Sequence, residues 1–338
     1  MLIFADPCGL IYSSTAQAVA GLWQAMGSAT ISTSGLPAGN IGSTAIRIPG
    51  PNQCNVSVPN TPGPYFIGMR VCFTSVLSEQ EICRFRDPTT GVQTSFFTEA
   101  NGTITAWRGG GTLIGTSSLS TTLAQNVWSY LELELSIDAS VGIVGVHING
   151  NNVLNTTANT KGSGSSGNIG NIAIGSNLNP YIQDVYICDS TGSRNNTFLG
   201  DIHVSAYNAN GAGSFSAYTP NGAATIWQSV SAITPTDSTV FASDSTPGDR
   251  MSTTVATTSV AGTIAGVIGV SRMLKTDAGT RTAALTITNS GSDLIGSSVA
   301  LGTSYAYSTL VAETDPGSGL PWTTGGFNTA QPGVKTLT

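Results

Sequence analysis

The stretch Trp128-Ser-Tyr-Leu-Glu-Leu-Glu-Leu-Ser-Ile137 is the clearest structural signal in the chain. Polar and apolar side chains alternate strictly along it, with the apolar set at Leu131, Leu133, Leu135 and Ile137. Because successive side chains of a strand point to opposite faces, this period of two predicts a strand with one buried face and one face in water.

Similar short runs surround this stretch on both sides. Asn149-Gly150 predicts a tight hairpin between strands at 142–148 and 151–157, because both residue types tolerate the left-handed backbone that such turns need. Further strands are predicted at 65–73, 82–86, 93–97, 171–175, 181–188 and 200–207. No helix of ten or more residues is predicted, so the pattern indicates an antiparallel β-sandwich.

Composition narrows the function classes. The chain has 338 residues, enough for two domains, and its hydrophobic fraction of 40% predicts a globular protein. Only 9% of residues are charged and the net charge is −6, without a Lys/Arg cluster to neutralise phosphates. We therefore expect no nucleic-acid partner.

The sequence also bears on compartment and redox chemistry. The Met-Leu-Ile-Phe-Ala-Asp-Pro start lacks a secretory signal pattern, and no apolar run is long enough to predict a membrane span. The cysteines are five in number and widely spaced, without a C-x-x-C pair, which predicts free and mostly buried thiols.

The predicted strand order resembles the concanavalin A-like, laminin-G-like jelly roll over residues 1 to 208. The resemblance rests on the strand Tyr65–Phe73, the stretch that begins at Trp128, the Asn149-Gly150 hairpin, Ile172-Ala-Ile-Gly175 and Ile182-Gln-Asp-Val-Tyr-Ile-Cys-Asp189. We therefore predict an all-β chain with a jelly roll at 1–208, a small-residue linker at 209–213, and a smaller β-sandwich at 214–338 that serves assembly or docking.

A second resemblance covers the whole chain and concerns tailed-bacteriophage virion structural proteins. It is carried by Asp184-Val-Tyr-Ile-Cys-Asp-Ser-Thr-Gly192, Asn195-Asn-Thr-Phe-Leu-Gly-Asp-Ile-His-Val204, Lys275-Thr-Asp-Ala-Gly-Thr-Arg281, Ser304-Tyr-Ala-Tyr-Ser308, Glu313-Thr-Asp-Pro316, Pro321-Trp322 and Gly333-Val334. It implies a virion location after synthesis in the host bacterial cytoplasm, other virion proteins as partners, and a homo-oligomer.

Glu132 and Glu134 are the candidate catalytic pair. They share one face of the predicted strand, roughly 7 Å apart, and paired carboxylates on such a strand can serve glycoside hydrolysis. The third acidic position of the usual hydrolase pattern holds Ser136 or Ile137 instead. A solvated polar face is the alternative, and we predict no enzyme activity.

Metal and cofactor sites have weaker support. Asp184, Asp189 and Asp201 are candidate Ca²⁺ ligands, although no loop shows the dense acidic spacing of a dedicated site. His147 and His203 lie in predicted strands, and we expect them to be strand-surface residues rather than metal ligands. No cofactor is predicted, and calcium is left as an open alternative.

Aromatic residues offer one candidate ligand contact. Among Trp107, Trp128, Trp227 and Trp322, Trp107 lies beside Arg108 in a loop-rich region, and we expect these two residues to contact glycan if any do. The sequence thus predicts a virion structural protein of the tail tip, fibre or head appendage, with possible attachment to host-surface glycan. The alternatives are a glycan-binding adhesin, a glycoside hydrolase and a capsid decoration protein.

Overall fold

The computed structural model describes residues 1–338 apart from residues 10, 13, 20–21, 90, 176 and 233–238. The chain divides into two compact units, and each is described by itself. The first consists of Met1–Val19 and Trp23–Ser205, and the second is built mainly from Ala206–Thr338.

Strands dominate the first unit, with one short helix among its described residues. The elements in chain order are β1 (Leu2–Asp6), α1 (Thr15–Ala18), β2 (Thr30–Ser32), β3 (Ala45–Arg47), β4 (Cys54–Thr61), β5 (Tyr65–Phe73), β6 (Gln80–Arg86), β7 (Val92–Thr98), β8 (Ile104–Arg108), β9 (Thr112–Thr116), β10 (Ser129–Leu135), β11 (Gly142–Ile148), β12 (Asn151–Ala158), β13 (Ile169–Ile174) and β14 (Pro180–Asp189).

These strands form two antiparallel sheets. The eight-stranded sheet has the order β12-β11-β10-β5-β14-β3-β2, with β1 paired to β14, and the six-stranded sheet has the order β4-β13-β6-β7-β8-β9. Neighbours such as β5 and β14 are far apart in sequence, as in a jelly roll rather than a meander. The predicted all-β fold with a concanavalin A-like jelly roll is confirmed.

Apolar side chains from both sheets fill the interior. Leu131, Leu133 and Leu135 of β10 are fully buried, as the period of two predicts. The six-stranded sheet contributes Phe85 of β6 and Phe96 of β7, whose rings meet edge to face at 5.8 Å. At about 25 cal/mol per Å² of apolar surface removed from water, such a core is the main favourable term in folding.

The second unit is also a β-structure. Its elements are β15 (Ala209–Ser216), β16 (Thr219–Asn221), α2 (Ile226–Ser229), β17 (Phe241–Ser243), β18 (Arg250–Val255), β19 (Val267–Met273), β20 (Thr282–Asn289), β21 (Ser292–Ile295), β22 (Val299–Ala300), β23 (Ala306–Ala312), α3 (Thr324–Thr329) and β24 (Gln331–Thr336). A six-stranded sheet runs β15-β18-β24-β20-β21 with β22 on β20, and two-stranded sheets pair β16 with β17 and β19 with β23.

Trp322 anchors the core of the second unit. It is 2% exposed, packs with Ile287, Ala312 and Ala330, and donates its indole N–H to the Ala312 carbonyl at 2.8 Å. A buried tryptophan needs such a partner, because an unpaired indole N–H in an apolar core is costly.

The predicted linker at 209–213 is wrong. These residues open β15, which pairs with β18, and the first unit already ends at Ser205. A Cβ on Gly211 would come within 2.6 Å of the Thr254 hydroxyl, and one on Gly213 within 2.3 Å of the Ser252 hydroxyl. The glycines therefore allow close packing against a neighbouring strand, a role that composition does not separate from flexibility.

The expectation that the Glu132 face of β10 lies in water is also wrong. Glu132 and Tyr130 are each 1% exposed, so β10 is buried on both faces. The predicted strand at 200–207 does not form, and residues 198–204, called the strap from here on, cross the outer face of the eight-stranded sheet instead. A polar side chain covered by its own chain looks in sequence like a solvated one.

A row of residues across three strands supplies the buried Glu132 carboxylate with a hydrogen-bond donor. Tyr186 of β14 is opposite Gly68 of β5, which is opposite Glu132 of β10. Since Gly68 has no side chain, the Tyr186 ring lies over it and the hydroxyl donates to Glu132 Oε1 at 2.5 Å. Buried carboxylates require such partners.

The five cysteines form no disulfide bonds. All five cysteines are free and buried, as predicted, and burial raises the pKa of the Cys72 thiol to about 11. Within the described ranges, no helix has the length and apolarity needed to cross a membrane.

Gly68→Ala should destabilise the first unit. The added methyl group would lie 2.0 Å from Tyr186 Cε1, so the ring must leave Gly68 and the hydrogen bond to Glu132 is lost. We expect urea unfolding to show a loss of about 2 to 3 kcal/mol. Gly111→Ala, where nothing lies within 4 Å of the new atom, is the matched control and should change little. Equal stabilities would contradict the role assigned to Gly68.

Candidate functional site

The outer face of the six-stranded sheet carries a row of side chains that runs across it. Register places Arg84 of β6 opposite Ser95 of β7, Ser95 opposite Trp107 of β8, and Trp107 opposite Leu113 of β9. Their neighbours in sequence, such as Cys83, Phe96 and Ala106, are fully buried in the sandwich. Because side chains alternate between faces, the four share the outer face, and we call them the Trp107 row.

Trp107 and Leu113 form the apolar part of the row. Leu113 is 49% exposed and Trp107 is partly exposed, so an aromatic and an aliphatic surface lie side by side. The indole N–H donates to Thr105 Oγ1 at 2.9 Å, and the Thr105 hydroxyl donates to Glu99 Oε1 at 2.9 Å. This chain of hydrogen bonds orients the indole ring, so the ring would lose less conformational entropy when a ligand binds.

Arg84 is the centre of the polar part of the row. Its guanidinium donates from Nε and Nη2 to Glu81 Oε2 at 3.0 and 2.6 Å. Gln53 donates to Glu81 Oε1 at 2.8 Å and accepts from Arg86 Nη2 at 3.0 Å. Burial lowers the pKa of Arg86, and Arg84 acts in the same direction. Four planar groups thus hold one another in place through paired and charge-assisted hydrogen bonds.

Ser95 lies between these two parts. It is 1% exposed, and its hydroxyl makes no hydrogen bond to the described residues. Adjacent strands are about 4.8 Å apart, so the Cα atoms of Arg84 and Trp107 on either side are separated by roughly 10 Å. Ser95 therefore separates the guanidinium from the indole without itself reaching the surface.

The structure separates the two residues predicted to contact glycan together. Trp107 lies on the outer face, whereas Arg108, the next residue of β8, points to the other side and donates to Thr112 Oγ1 at 3.4 Å. Arg84 is the arginine that shares the face of Trp107, although 23 positions separate them in sequence. The alternation of Arg84 and Arg86 with buried Cys83 and Phe85 was the available sequence signal.

The outer face of the eight-stranded sheet is closed in the structure. Leu199 N–H donates to the Tyr186 hydroxyl at 2.9 Å, and Gly200 N–H donates to Glu132 Oε1 at 2.8 Å. Phe198 packs on His147, with ring centroids 4.2 Å apart, and on Phe66 at 5.2 Å. The strap therefore occupies the space that a substrate of a Glu132-centred hydrolase would need.

Glu134 lies under the same cover. A Cβ on Gly145 would meet Glu134 Oε2 at 2.9 Å and the Phe198 ring at 3.4 Å, so the carboxylate lies over Gly145 beside Phe198. Burial raises the pKa of Glu134. The two glutamates share a face as predicted, but the chain itself supplies the groups around them.

The three candidate calcium ligands do not converge. Asp184 and Asp201 both face Arg70, with a 3.6 Å contact from Nε to Asp184 and a 2.6 Å contact from Nη2 to Asp201. Asp189 is the last residue of β14, where its carboxylate accepts a hydrogen bond from the Met1 amine at 3.1 Å. Within the described part of the chain, no group of three or more His, Cys, Asp or Glu is placed to hold a metal ion.

The two histidines also lie apart, each beside a different carboxylate. His203 Nδ1 is 3.0 Å from Asp184 Oδ1, and His147 Nδ1 is 3.9 Å from Glu132 Oε2. His203 belongs to the strap rather than to a strand, contrary to the prediction. A bulge in β14, at which Asp184 has φ +50°, presents its carboxylate to the strap.

No protein-family model and no curated protein sequence matches this chain. Solved structures that align with it include the galectin LEC-6 of Caenorhabditis elegans, 17% identical over 40% of this chain and 89% of the galectin, with a TM-score of 0.30. Domain 4 of the GH43 extracellular arabinanase AbnA from Geobacillus stearothermophilus, determined with arabinotriose, is 17% identical over 48% of this chain and 83% of that domain, at a TM-score of 0.33.

A sialidase from Trypanosoma rangeli, determined with the inhibitor DANA, also aligns. It is 10% identical over 47% of this chain and 26% of the sialidase, with a TM-score of 0.34. The chain thus spans about a quarter of that enzyme. These similarities concern β-sandwich structure alone.

Proposed function

We propose that this chain is a structural component of a tailed-bacteriophage virion, in a tail tip, fibre or head appendage, and that its first unit attaches to host-surface glycan. The Trp107 row is the observation that carries the attachment part of the proposal. The virion part rests on the resemblance of residues 184–204 and 275–334 to virion proteins.

The chemistry of the Trp107 row suits a sugar. Pyranose rings present C–H faces that stack on indole and aliphatic surfaces, which Trp107 and Leu113 provide side by side. Sugar hydroxyls both donate and accept, and Arg84 with Glu81 offers donors and acceptors in one fixed plane. Small-molecule sites commonly combine such apolar surface with a few oriented polar groups.

The low charge of the chain supports an assembly role. With only 9% charged residues, contacts to other virion proteins and to further copies would rest on shape and apolar burial rather than ion pairs. We propose that the second unit provides these contacts.

The proposal is a binding role rather than a catalytic one. A general acid or nucleophile must reach the scissile bond. Glu132 is instead only 1% exposed, and its Oε1 atom accepts hydrogen bonds from the Tyr186 hydroxyl and from Gly200 N–H.

Trp107→Ala should weaken glycan binding by about tenfold or more, since stacking and burial of an indole contribute at least about 1.4 kcal/mol. Arg84→Ala should do the same through lost hydrogen bonds. Arg108→Ala, on the other side of the same strand, is the matched control and should bind as the wild type does. The measurement is a glycan array followed by titration of the best ligand. A silent array, or equal binding by Trp107→Ala, would count against the attachment role.

Host polysaccharide incubated with the protein should release no reducing ends. Glu132→Gln should leave that result unchanged, because the carboxylate is enclosed by the chain itself. Polysaccharide degradation that disappears in Glu132→Gln would instead establish the hydrolase alternative.

Light scattering should give a stable homo-oligomer, and the oligomer should sediment with fixed host cells. Trp107→Ala should keep the oligomeric mass but no longer sediment with the cells. The Trp107 row belongs to the first unit, whereas the assembly contacts are proposed for the second.

Peptide mass spectrometry of purified phage particles should detect the chain. Phage particles that lack the chain would refute the proposed virion location. In the sedimentation test, an oligomer that does not bind the cells would favour a scaffold or decoration protein.

A further inference from the structure

The outer face of the six-stranded sheet carries a second arginine beside the Trp107 row. Arg86 lies two residues along β6 from Arg84, and Phe85 between them is fully buried, so the two arginines share the outer face. Asn171 of β13 is opposite Arg86, and both residues are partly exposed. The polar part of this face therefore extends from Arg84 to an arginine and an amide.

The two arginines differ in their partners. Arg84 forms an ion pair with Glu81 at 2.6 Å. Arg86 instead donates from Nη2 to the neutral Gln53 side chain at 3.0 Å, and its Nε makes no hydrogen bond to the described residues. Within the described part of the chain, no carboxylate forms an ion pair with Arg86. Two guanidinium groups thus lie beside one carboxylate.

A second carboxylate near the Trp107 row, Glu99, is too far away to neutralise Arg86. Arg86 is opposite Val92, the first residue of β7, whereas Glu99 follows the last residue of that strand. The strand between these positions spans roughly 24 Å. Since the Debye length is about 8 Å at physiological ionic strength, the two charges are screened from each other. One positive charge is therefore in excess around Arg86.

The nearby guanidinium groups also act on each other. Burial lowers the pKa of Arg86, the neighbouring Arg84 lowers it further, and Glu81 opposes only part of this effect. A lowered arginine pKa means that the surroundings do not fully compensate the cationic form. An anion bound beside Arg86 would supply the missing negative charge.

We propose that this face binds an acidic glycan, with a neutral sugar ring stacked on Trp107 and Leu113 and a carboxylate or sulfate group at Arg86. The inference rests on the proposed function, because it names the class of glycan that the same site takes. The Cα atoms of Trp107 and Arg86 are roughly 12 Å apart, from two strand spacings and two residues of rise. The acid group therefore belongs to a sugar that neighbours the stacked ring.

A guanidinium suits either acid group. Its planar N–H groups can meet two oxygens of a carboxylate or a sulfate, and such contacts are charge-assisted. Arg86 is partly exposed, so solvent screens the contact and its strength is that of an exposed ion pair. The acid group should therefore improve the affinity by about threefold to fivefold.

Titration of the full chain with matched oligosaccharides tests the proposal. Each acidic oligosaccharide is compared with the same oligosaccharide after carboxyl reduction or desulfation, two treatments that distinguish a carboxylate from a sulfate. The acidic member should bind about threefold or more tightly at low ionic strength, and the difference should shrink in about 0.5 M NaCl. Equal affinity within every pair would overturn the inference and leave the glycan role intact. Lack of binding by all members would overturn both.

Three variants assign the preference to Arg86. Arg86→Gln should abolish the preference for the acidic member and keep the affinity for the neutral one. Glu81→Gln removes the charge that pairs Arg84, so it should increase the preference, and it tests the proposal if Arg86→Gln does not fold. Arg108→Gln, on the other side of β8, is the matched control and should keep the wild-type ratio. A wild-type ratio in folded Arg86→Gln, or an unchanged or lower ratio in Glu81→Gln, would contradict the assignment.

Discussion

The hydrogen bond from Tyr186 to Glu132 is the interaction on which the first unit depends. It spans β14, β5 and β10, and it requires that the intervening residue, Gly68, lack a side chain. The same Glu132 oxygen accepts Gly200 N–H, so the carboxylate joins the sheet to the strap. A buried carboxylate without these partners would cost several kcal/mol, which makes the three residues a single structural unit.

This constraint gives the two outer faces of the sandwich different roles. The face of the eight-stranded sheet is covered by the chain's own strap, whose N–H groups donate to Tyr186, Glu132 and Asp184. The face of the six-stranded sheet keeps a partly exposed indole beside an exposed leucine and an arginine held by Glu81. The proposed glycan contact therefore uses the second face, whereas the first face is covered by the segment that precedes the second unit.

Much of the fold was readable from local patterns. The alternation in β10 predicted its strand and the buried leucines, and the Asn149-Gly150 turn predicted the hairpin between β11 and β12, where both residues have positive φ. Turn residues and the lack of helical periodicity predicted an all-β chain. Local patterns did not show which side chains share a face at the candidate site, because Arg108 follows Trp107 in sequence but lies on the other side of β8. Arg84 shares the Trp107 face only through two strand pairings.

For strands such as β10 and β11, the sequence by itself determined the strand and its apolar side, since both follow from the period of two within a few neighbouring residues. It did not do so at 200–207, where no strand forms, or at 209–213, where β15 begins. Only the tertiary structure decided what covers the opposite side. Glu132 and Gly200 are 68 positions apart, and a polar side chain has the same sequence signature whether water or another segment of the chain lies over it. Register between distant strands likewise decided that Arg84, Ser95 and Trp107 form one row, because a one-residue shift would turn each of them to the other face.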